Sequence, residues 1–342
     1  MIILGVESTC DETAAAVVKD GNEILSNVVA SQVDLHAAFG GVVPEVAARS
    51  HIEVILPVID SALEKAGVSI EDIDGIAVAN GPGLIGSLLI GNLTARTLSL
   101  LLNKPLYLIN HVEAHTYASF FGGEDPQFPL LSLTVSGGHT QLVLFEDHGK
   151  YKVLGRTHDD AVGEAFDKVA KILGLPYPGG PSVAAAAQKG NPTAFKLPVP
   201  NLGKESLDFS FSGLKTAVLR AAQTAAGRDF RTPSYEVPGL LTDQQKNDLA
   251  ASFQETAVNI LYSRVKAAAE KYHPKAIAIG GGVAANQSLR AKMADIPRVL
   301  PYPTIELCTD NAAMIAALGC FHAKTQKTVS PLDAKVDPVL SM

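Results

Sequence analysis

"ILGVESTCDETAAAVVKDG", residues 3–21, reads as an apolar strand, a turn of small polar residues and a second apolar strand closing on Asp-Gly. "LSLTVSGGHTQLVLFEDHG", residues 131–149, repeats the plan: strand, Gly-rich polar turn, strand, then an acidic pair and a turn. A long amphipathic helix follows in each half. In the first, residues 44–66 place Ile52, Ile55, Leu56, Ile59 and Leu63 on one face; Pro57 is expected to kink it and Gly67 to close it. In the second, residues 243–272 open with the capping box Thr242-x-x-Gln245 and carry the stripe Leu249, Phe253, Ala257, Ile260, Leu261 and Val265. Each helix leads to a buried-type strand and a glycine turn opening another helix: "GIAVANGPGLIGSLLIG" (75–91) and "AIAIGGGVAANQSL" (276–289). Two such copies predict an α/β protein of two similar lobes facing each other, with a boundary near 110–130.

A chain of 342 residues has room for two lobes with a substantial core. With 47% hydrophobic and 18% charged residues, its composition is that of a soluble globular protein. The net charge of −7 does not announce a nucleic-acid binder, although a local basic face or a partner can supply a positive field. Residues 195–240 read as an insertion rich in Pro and Phe. Through position 231 it carries six basic residues (Lys196, Lys204, Lys215, Arg220, Arg228, Arg231) against the acidic Glu205, Asp208 and Asp229. The three cysteines, Cys10, Cys308 and Cys320, lack metal-ligand spacing and fit a reducing compartment. "MIILGVEST" enters a strand directly, and no apolar run approaches the ~20 uncharged residues of a membrane span. A cytoplasmic protein is expected, its last twenty residues a loose tail.

Both hairpin turns offer backbone N–H groups and small hydroxyls, and a pair of them can clamp a nucleotide's phosphates. A single Gly137-Gly138 turn would mean little; its repetition in both halves is what favours a site. "GGGVAAN" (280–286) puts glycines where a strand feeds a helix, suited to close approach by an adenosine or phosphate, but without Walker or Rossmann spacing. In "NHVEAHTYA" (110–118), His111 and His115 share a face if the segment is helical and can chelate one ion. A zinc peptidase needs H-E-x-x-H, whereas Glu113 lies two residues from each His, roughly 200° around the helix. That reading fails. Asp310, opening the small-residue helix of "LCTDNAAMIAALG" (307–319), is a possible third ligand or a simple N-cap, and the His pair could equally be a surface face. Asp11 and Glu12 sit in the first hairpin turn, where carboxylates suit a cation, a proton or an acceptor better than a phosphate. Asp167, on the helix within 159–183, is a candidate contact for a ligand hydroxyl.

In order along the chain stand "GVESTCDETAAAVV", "GGVVPEVAARSH", "GPGLIGSLLIG", "NHVEAH", "VSGGHTQL", "DDAVGEAFDKVAKILGLPYPGGP", "FSFSGLKTAV", "GGGVAANQSLR" and "CTDNAAMIA". Together they resemble the bacterial TsaD family, tRNA adenosine threonylcarbamoyltransferases once described as O-sialoglycoprotein endopeptidases. The resemblance runs from residue 2 to about 322. It implies a duplicated actin-like ATPase fold (sugar kinase/heat-shock-protein/actin superfamily), with the ligand site between two lobes. The first lobe would span 1–110, completed by about 310–325, the second 111–309, and the tail 326–342.

The implied reaction passes a threonylcarbamoyl group from threonylcarbamoyl-AMP to the exocyclic amine of the adenosine beside the anticodon, in tRNAs reading codons that begin with adenine. By resemblance, His111, His115 and Asp310 hold one divalent metal ion, usually iron(II), with zinc compatible. Thr134, Val135, Ser136, Gly137, Gly138, Asp167, Gly180 and Asn286 bind substrate, and Asp11 serves transfer. Archaeal and eukaryotic relatives carry a tyrosine ligand where this chain has Thr134, which leaves the fourth ligand open. The implied partners, besides tRNA, are an inactive paralogue (TsaB), seated on the helices near 44–66 and 84–102, and a small P-loop ATPase (TsaE). The fold also hosts nucleotide-dependent scaffolds and kinases. A scaffold has no need of a His/His/Asp set, and kinases hold Mg²⁺ mainly through oxygens.

Overall fold

The computed structural model describes residues 1–122, 126–203 and 205–342. The first hairpin forms as read: β1 (Ile2–Glu7) pairs antiparallel with β2 (Glu12–Lys19), which pairs with β3 (Glu23–Ser31). β4 (Gly75–Gly81) joins β1 in parallel, and β5 (Leu106–Asn110) joins β4, giving the order β3-β2-β1-β4-β5. The second copy repeats this without the fifth strand. β6 (Leu130–Val135), β7 (Thr140–Asp147), β8 (Lys150–Arg156) and β9 (Ala276–Gly280) take the order β8-β7-β6-β9, with β9 parallel to β6.

The chain divides into two compact units, Met1–Pro126 with Pro303–Met342, and Gln127–Tyr302. The sequence placed these limits near 110 and 309. The difference matters because His111 and His115 then belong to the first unit, together with Asp310.

In that unit β1 is buried on both faces. Gly5 lies against Ala312 and Ala316 of helix Ala312–Lys324, while Val6 faces Gly91 of helix Ile85–Leu102 on the other side. Helix Pro44–Ala66 has the expected bounds, runs continuously through Pro57 and ends at Gly67, whose φ is 67°. Its buried face is rotated from the one expected. Ala47, His51, Ile55, Val58, Ile59 and Ala62 face the sheet, whereas Ile52 and Leu56 are 61% and 58% exposed. Small residues take the side of closest approach, and that displaces the larger ones.

Helix Ile85–Leu102 is long and apolar enough by composition to cross a membrane, a stretch the sequence reading did not anticipate. Ser87, Leu88, Gly91, Asn92, Ala95 and Ser99 form its buried face, and Arg96 Nε donates to the Pro331 carbonyl at 2.6 Å. Residues after 325 are tied to the first unit, where a loose tail was expected. Val329 N donates to Leu106 O, Asp337 N to Asn80 O, and Gly83 N to Pro338 O.

In the second unit, helix Asp243–Tyr272 opens with the expected reciprocal Thr242/Gln245 bonds, and its whole apolar stripe is buried. The 195–240 segment contributes Phe209 and Phe211 to the core and forms helix Ser212–Ala225. Among its basic residues, Lys196 and Arg228 are exposed. Lys215 pairs with Asp160 at 3.0 Å, Arg220 and Arg231 flank the exposed Phe230 ring, and Lys204 lies outside the described residues.

A Cβ at residue 5 would lie 2.4 Å from Ala312 O and 2.8 Å from Ala316 N, both helix backbone. Gly5→Ala therefore has to push this helix off the sheet, at about 1–3 kcal/mol of overpacking. Thermal unfolding of the variant should show a Tm several degrees below that of the parent protein.

Candidate metal centre

β5 ends at Asn110, whose Oδ1 accepts from the backbone N–H of Val112 (2.9 Å) and Glu113 (3.1 Å). That cap turns the chain at once into helix His111–Tyr117, placing His111 and His115 one turn apart with ring centroids 4.8 Å apart. Asp310 comes from the other end of the chain. It is not the cap of the following helix, since Asn311 Oδ1 takes that role by accepting from Met314 N at 3.1 Å. The Asp310 carboxylate is thereby left to lie 3.5 Å from His111 Nε2 and 3.3 Å from His115 Nε2. Candidate ligand atoms of all three residues fall within 4.8 Å of one another, the one such group among the described residues. Glu113 is buried but stands outside the group, in keeping with its position around the helix.

The surroundings suit a cation. His115 is fully buried, its Nδ1 has no hydrogen-bond partner, and its Nε2 approaches Asp310 without hydrogen-bond geometry. A buried polar atom left in that state costs free energy that coordination would recover. Two imidazoles and a carboxylate are also the donor set of a catalytic transition-metal site with open positions. Burial by itself would lower the pKa of His111; the Glu7 and Asp310 carboxylates outweigh it and hold the ring well above its ordinary value. Burial would raise Asp310, but His111 and then His115 hold it well below the usual range. A metal ion would take over the role those protons play in offsetting the carboxylates.

Asp11 and Glu12 lie beside this group. Burial, then the charges of Asp310 and Asp11, push the Glu12 carboxyl up to about 10, so it is protonated at neutral pH and hydrogen-bonded to Asp11. Their turn is held from three sides. His51 Nε2 donates to the Cys10 carbonyl (3.0 Å) while its Nδ1 accepts from Thr13 Oγ1 (2.7 Å), Ser87 Oγ donates to the same carbonyl (3.2 Å), and Leu84 N donates to Thr9 O. Gly83 and Gly91 allow the approach, because a Cβ at either would overlap Thr9 O or Ser8 Oγ. Burial raises the Cys10 thiol far above its ordinary value, which disfavours the thiolate. Glu7, His51 and Ser87 escaped the sequence reading. A polar His51 within an apolar helix face, and a carboxylate ending the apolar strand "IILGVE", were the available signals.

The other predicted residues lie in the second unit. Thr134 and Val135 end β6, and Ser136 closes a turn with His139: Ser136 N donates to His139 O (2.8 Å), and His139 N to Ser136 Oγ (3.1 Å). Gly163 N donates to Ser136 O, Gly281 (φ 91°) lies against Val135 O, and Gly179 N donates to Asp167 Oδ1 at 2.7 Å. Gly163 and Gly281 thus pack against Ser136 and Val135, and Gly179 against Asp167, whereas a Cβ at Gly137, Gly138 or Gly180 would meet nothing within 4 Å. Asn286 is occupied locally. Its Oδ1 caps helix Gln287–Met293 through Leu289 N, and its Nδ2 donates to Gln254.

The activator of 2-hydroxyisocaproyl-CoA dehydratase from Clostridium difficile matches with a TM-score of 0.51 at 14% identity, over 96% of this chain and 97% of that one. HypF from T. kodakarensis matches with a TM-score of 0.60 at 15% identity, over 95% of this chain and 48% of that one. Those likenesses concern the fold. With the duplicated sheet order, the molecule has an actin-like ATPase fold, carrying a His/His/Asp cluster able to hold a metal. The chain belongs to the TsaD family, whose model, tRNA N6-adenosine threonylcarbamoyltransferase, matches residues 23–317. Relatives bearing that name are 51% identical over 340 residues in Thermomicrobium roseum (95% of this chain, 92% of the relative) and 53% identical over 325 residues in Symbiobacterium thermophilum (94% and 91%). The activity is accordingly threonylcarbamoyl transfer to adenosine N6, and the substrate is tRNA.

A carboxyl raised to about 10 from 4.5 binds its proton more tightly in the folded state, so its contribution to stability declines as pH rises from about 4.5 toward 10. Glu12→Gln removes that liability. In metal-free protein its Tm should exceed the parent's by a margin that widens from pH 5 to pH 9; a constant margin would place the proton elsewhere.

Proposed function

We propose that the donor is threonylcarbamoyl-AMP and that His111, His115 and Asp310 hold a divalent metal, iron(II) or zinc. The single observation that carries this reading is the convergence of those three side chains around a buried imidazole with no hydrogen bond of its own. The metal supplies Lewis-acid anchoring and polarisation of donor oxygens.

The mixed carbamoyl–phosphate anhydride of the donor already holds the driving force, so no protein nucleophile is needed. The adenosine N6 forms the new bond to the carbamoyl carbon, the bond from that carbon to the AMP phosphate oxygen breaks, and N6 gives up a proton. Asp11, 9% exposed and beside the cluster, accepts that proton or orients the amine. Glu12 already holds a proton and serves as its hydrogen-bond donor. Thr134, Val135, Ser136, Gly137, Gly138, Asp167 and Gly180 bind the donor. Open space over Gly137, Gly138 and Gly180 supports close backbone approach to an anionic group. Asn286 binds substrate as well, while its Oδ1 caps helix Gln287–Met293.

We place the reaction in the cytoplasm, on the adenosine beside the anticodon, which must leave its stack to present N6. Exposed Ile52, Leu56, Ile85, Leu89 and Leu93 on helices Pro44–Ala66 and Ile85–Leu102 support docking of the paralogue there, with the small P-loop ATPase as third component.

The test is transfer from threonylcarbamoyl-AMP to unmodified tRNA in the presence of both partners, with nucleosides weighed after digestion. The parent protein should form threonylcarbamoyl-adenosine, His111→Ala none above background, and Asp11→Asn about 10²–10⁴-fold less. Normal rates in either variant would remove that residue's role, and no product from the parent protein would remove the donor assignment.

A further inference from the structure

We infer that Glu7 is a positioning residue of this centre: it fixes His111 with Nδ1 protonated, so that Nε2 is the atom offered to the metal. The inference rests on the metal reading above.

Glu7 is the last residue of β1 and is fully buried. Its two oxygens are both engaged: Oε1 accepts from Thr9 N at 2.6 Å, and Oε2 lies 2.8 Å from His111 Nδ1. Thr9 Oγ1 makes a longer approach to the same nitrogen, 3.4 Å. A carboxylate beside Nδ1 keeps a proton there, so Nε2 is the nitrogen whose proton a metal would displace. That edge of the ring faces Asp310. Glu7 therefore stands behind the ring, on the side away from the other two candidate ligands, and acts on the metal only through His111. A buried anion in that place raises the basicity of the imidazole and prevents its rotation.

His115 has no such support, since its Nδ1 is without a hydrogen-bond partner. The two histidines are thus unequal, since only His111 has its Nδ1 held by a carboxylate. The plain alternative is that Glu7 only satisfies Thr9 N at the end of a strand, in which case metal affinity would not depend on its charge.

Co²⁺ and Zn²⁺ affinities of metal-free parent protein, Glu7→Gln and His111→Ala separate these readings, measured by competition with a chelator and without tRNA or donor. Glu7→Gln should bind about 10–100-fold more weakly, with an altered Co²⁺ absorption spectrum. Transfer by this variant should recover at saturating metal, while His111→Ala stays inactive. Affinity equal to the parent's in Glu7→Gln, with binding lost in His111→Ala, would overturn the role of Glu7 and leave the metal in place. Unchanged affinity in both variants would overturn the metal reading and this one with it. Should Glu7→Gln not fold, long-range ¹⁵N–¹H spectra of the Zn²⁺-loaded parent protein decide. A protonated Nδ1 and a metal-bound Nε2 on His111 are expected, and metal on Nδ1 would refute the assignment.

Discussion

Four carboxylates and two imidazoles crowd around the carboxyl ends of β1 and β5, and the burial of that charge is the constraint around which the first unit is built. An uncompensated buried ion costs several kcal/mol. Here Glu7 bonds to Thr9 N and His111, Asp310 faces both rings, and Glu12 keeps its proton. Even so, one imidazole remains without a hydrogen bond. A divalent cation closes that account better than any rearrangement of protons, because it can meet both rings and the carboxylate at once. The local fold serves the same end. Asn110 starts a helix at the very end of a strand, Asn311 relieves Asp310 of capping, and Gly5 lets the helix after Asp310 lie directly on β1.

The duplication puts two hairpin turns in matching places and gives them opposite chemistry. The first, between β1 and β2, carries Asp11 and Glu12; the second, between β6 and β7, carries Gly137 and Gly138, where an added Cβ would meet open space. Carboxylates suit a cation and a proton, whereas exposed backbone donors suit a phosphate or a developing oxyanion.

Much of this was legible in the sequence because it depends on short-range pattern. The hairpin echo, the Thr242 capping box, the stripe of helix Asp243–Tyr272 and the i, i+4 spacing of His111 and His115 are local signals. What was not legible depends on which residues approach across the fold. The face of helix Pro44–Ala66 turned out to be set by Ala47 and Ala62, since close packing against a sheet favours small side chains, and by His51, which bonds to Cys10 and Thr13. Glu7 looked like the polar end of a strand until β1 and β5 came to flank β4 and brought it to His111. For Asp310 the sequence pattern left two readings open, third ligand or cap, and the family resemblance favoured the ligand.

Anomalous diffraction at the zinc edge, from crystals grown with the metal, tests the account most directly. One peak bonded to His111, His115 and Asp310, with Glu7 still on His111 Nδ1, is the predicted result. At saturating zinc, a peak elsewhere, or none at these three residues, would contradict the claim that their convergence makes the metal centre of the transferase.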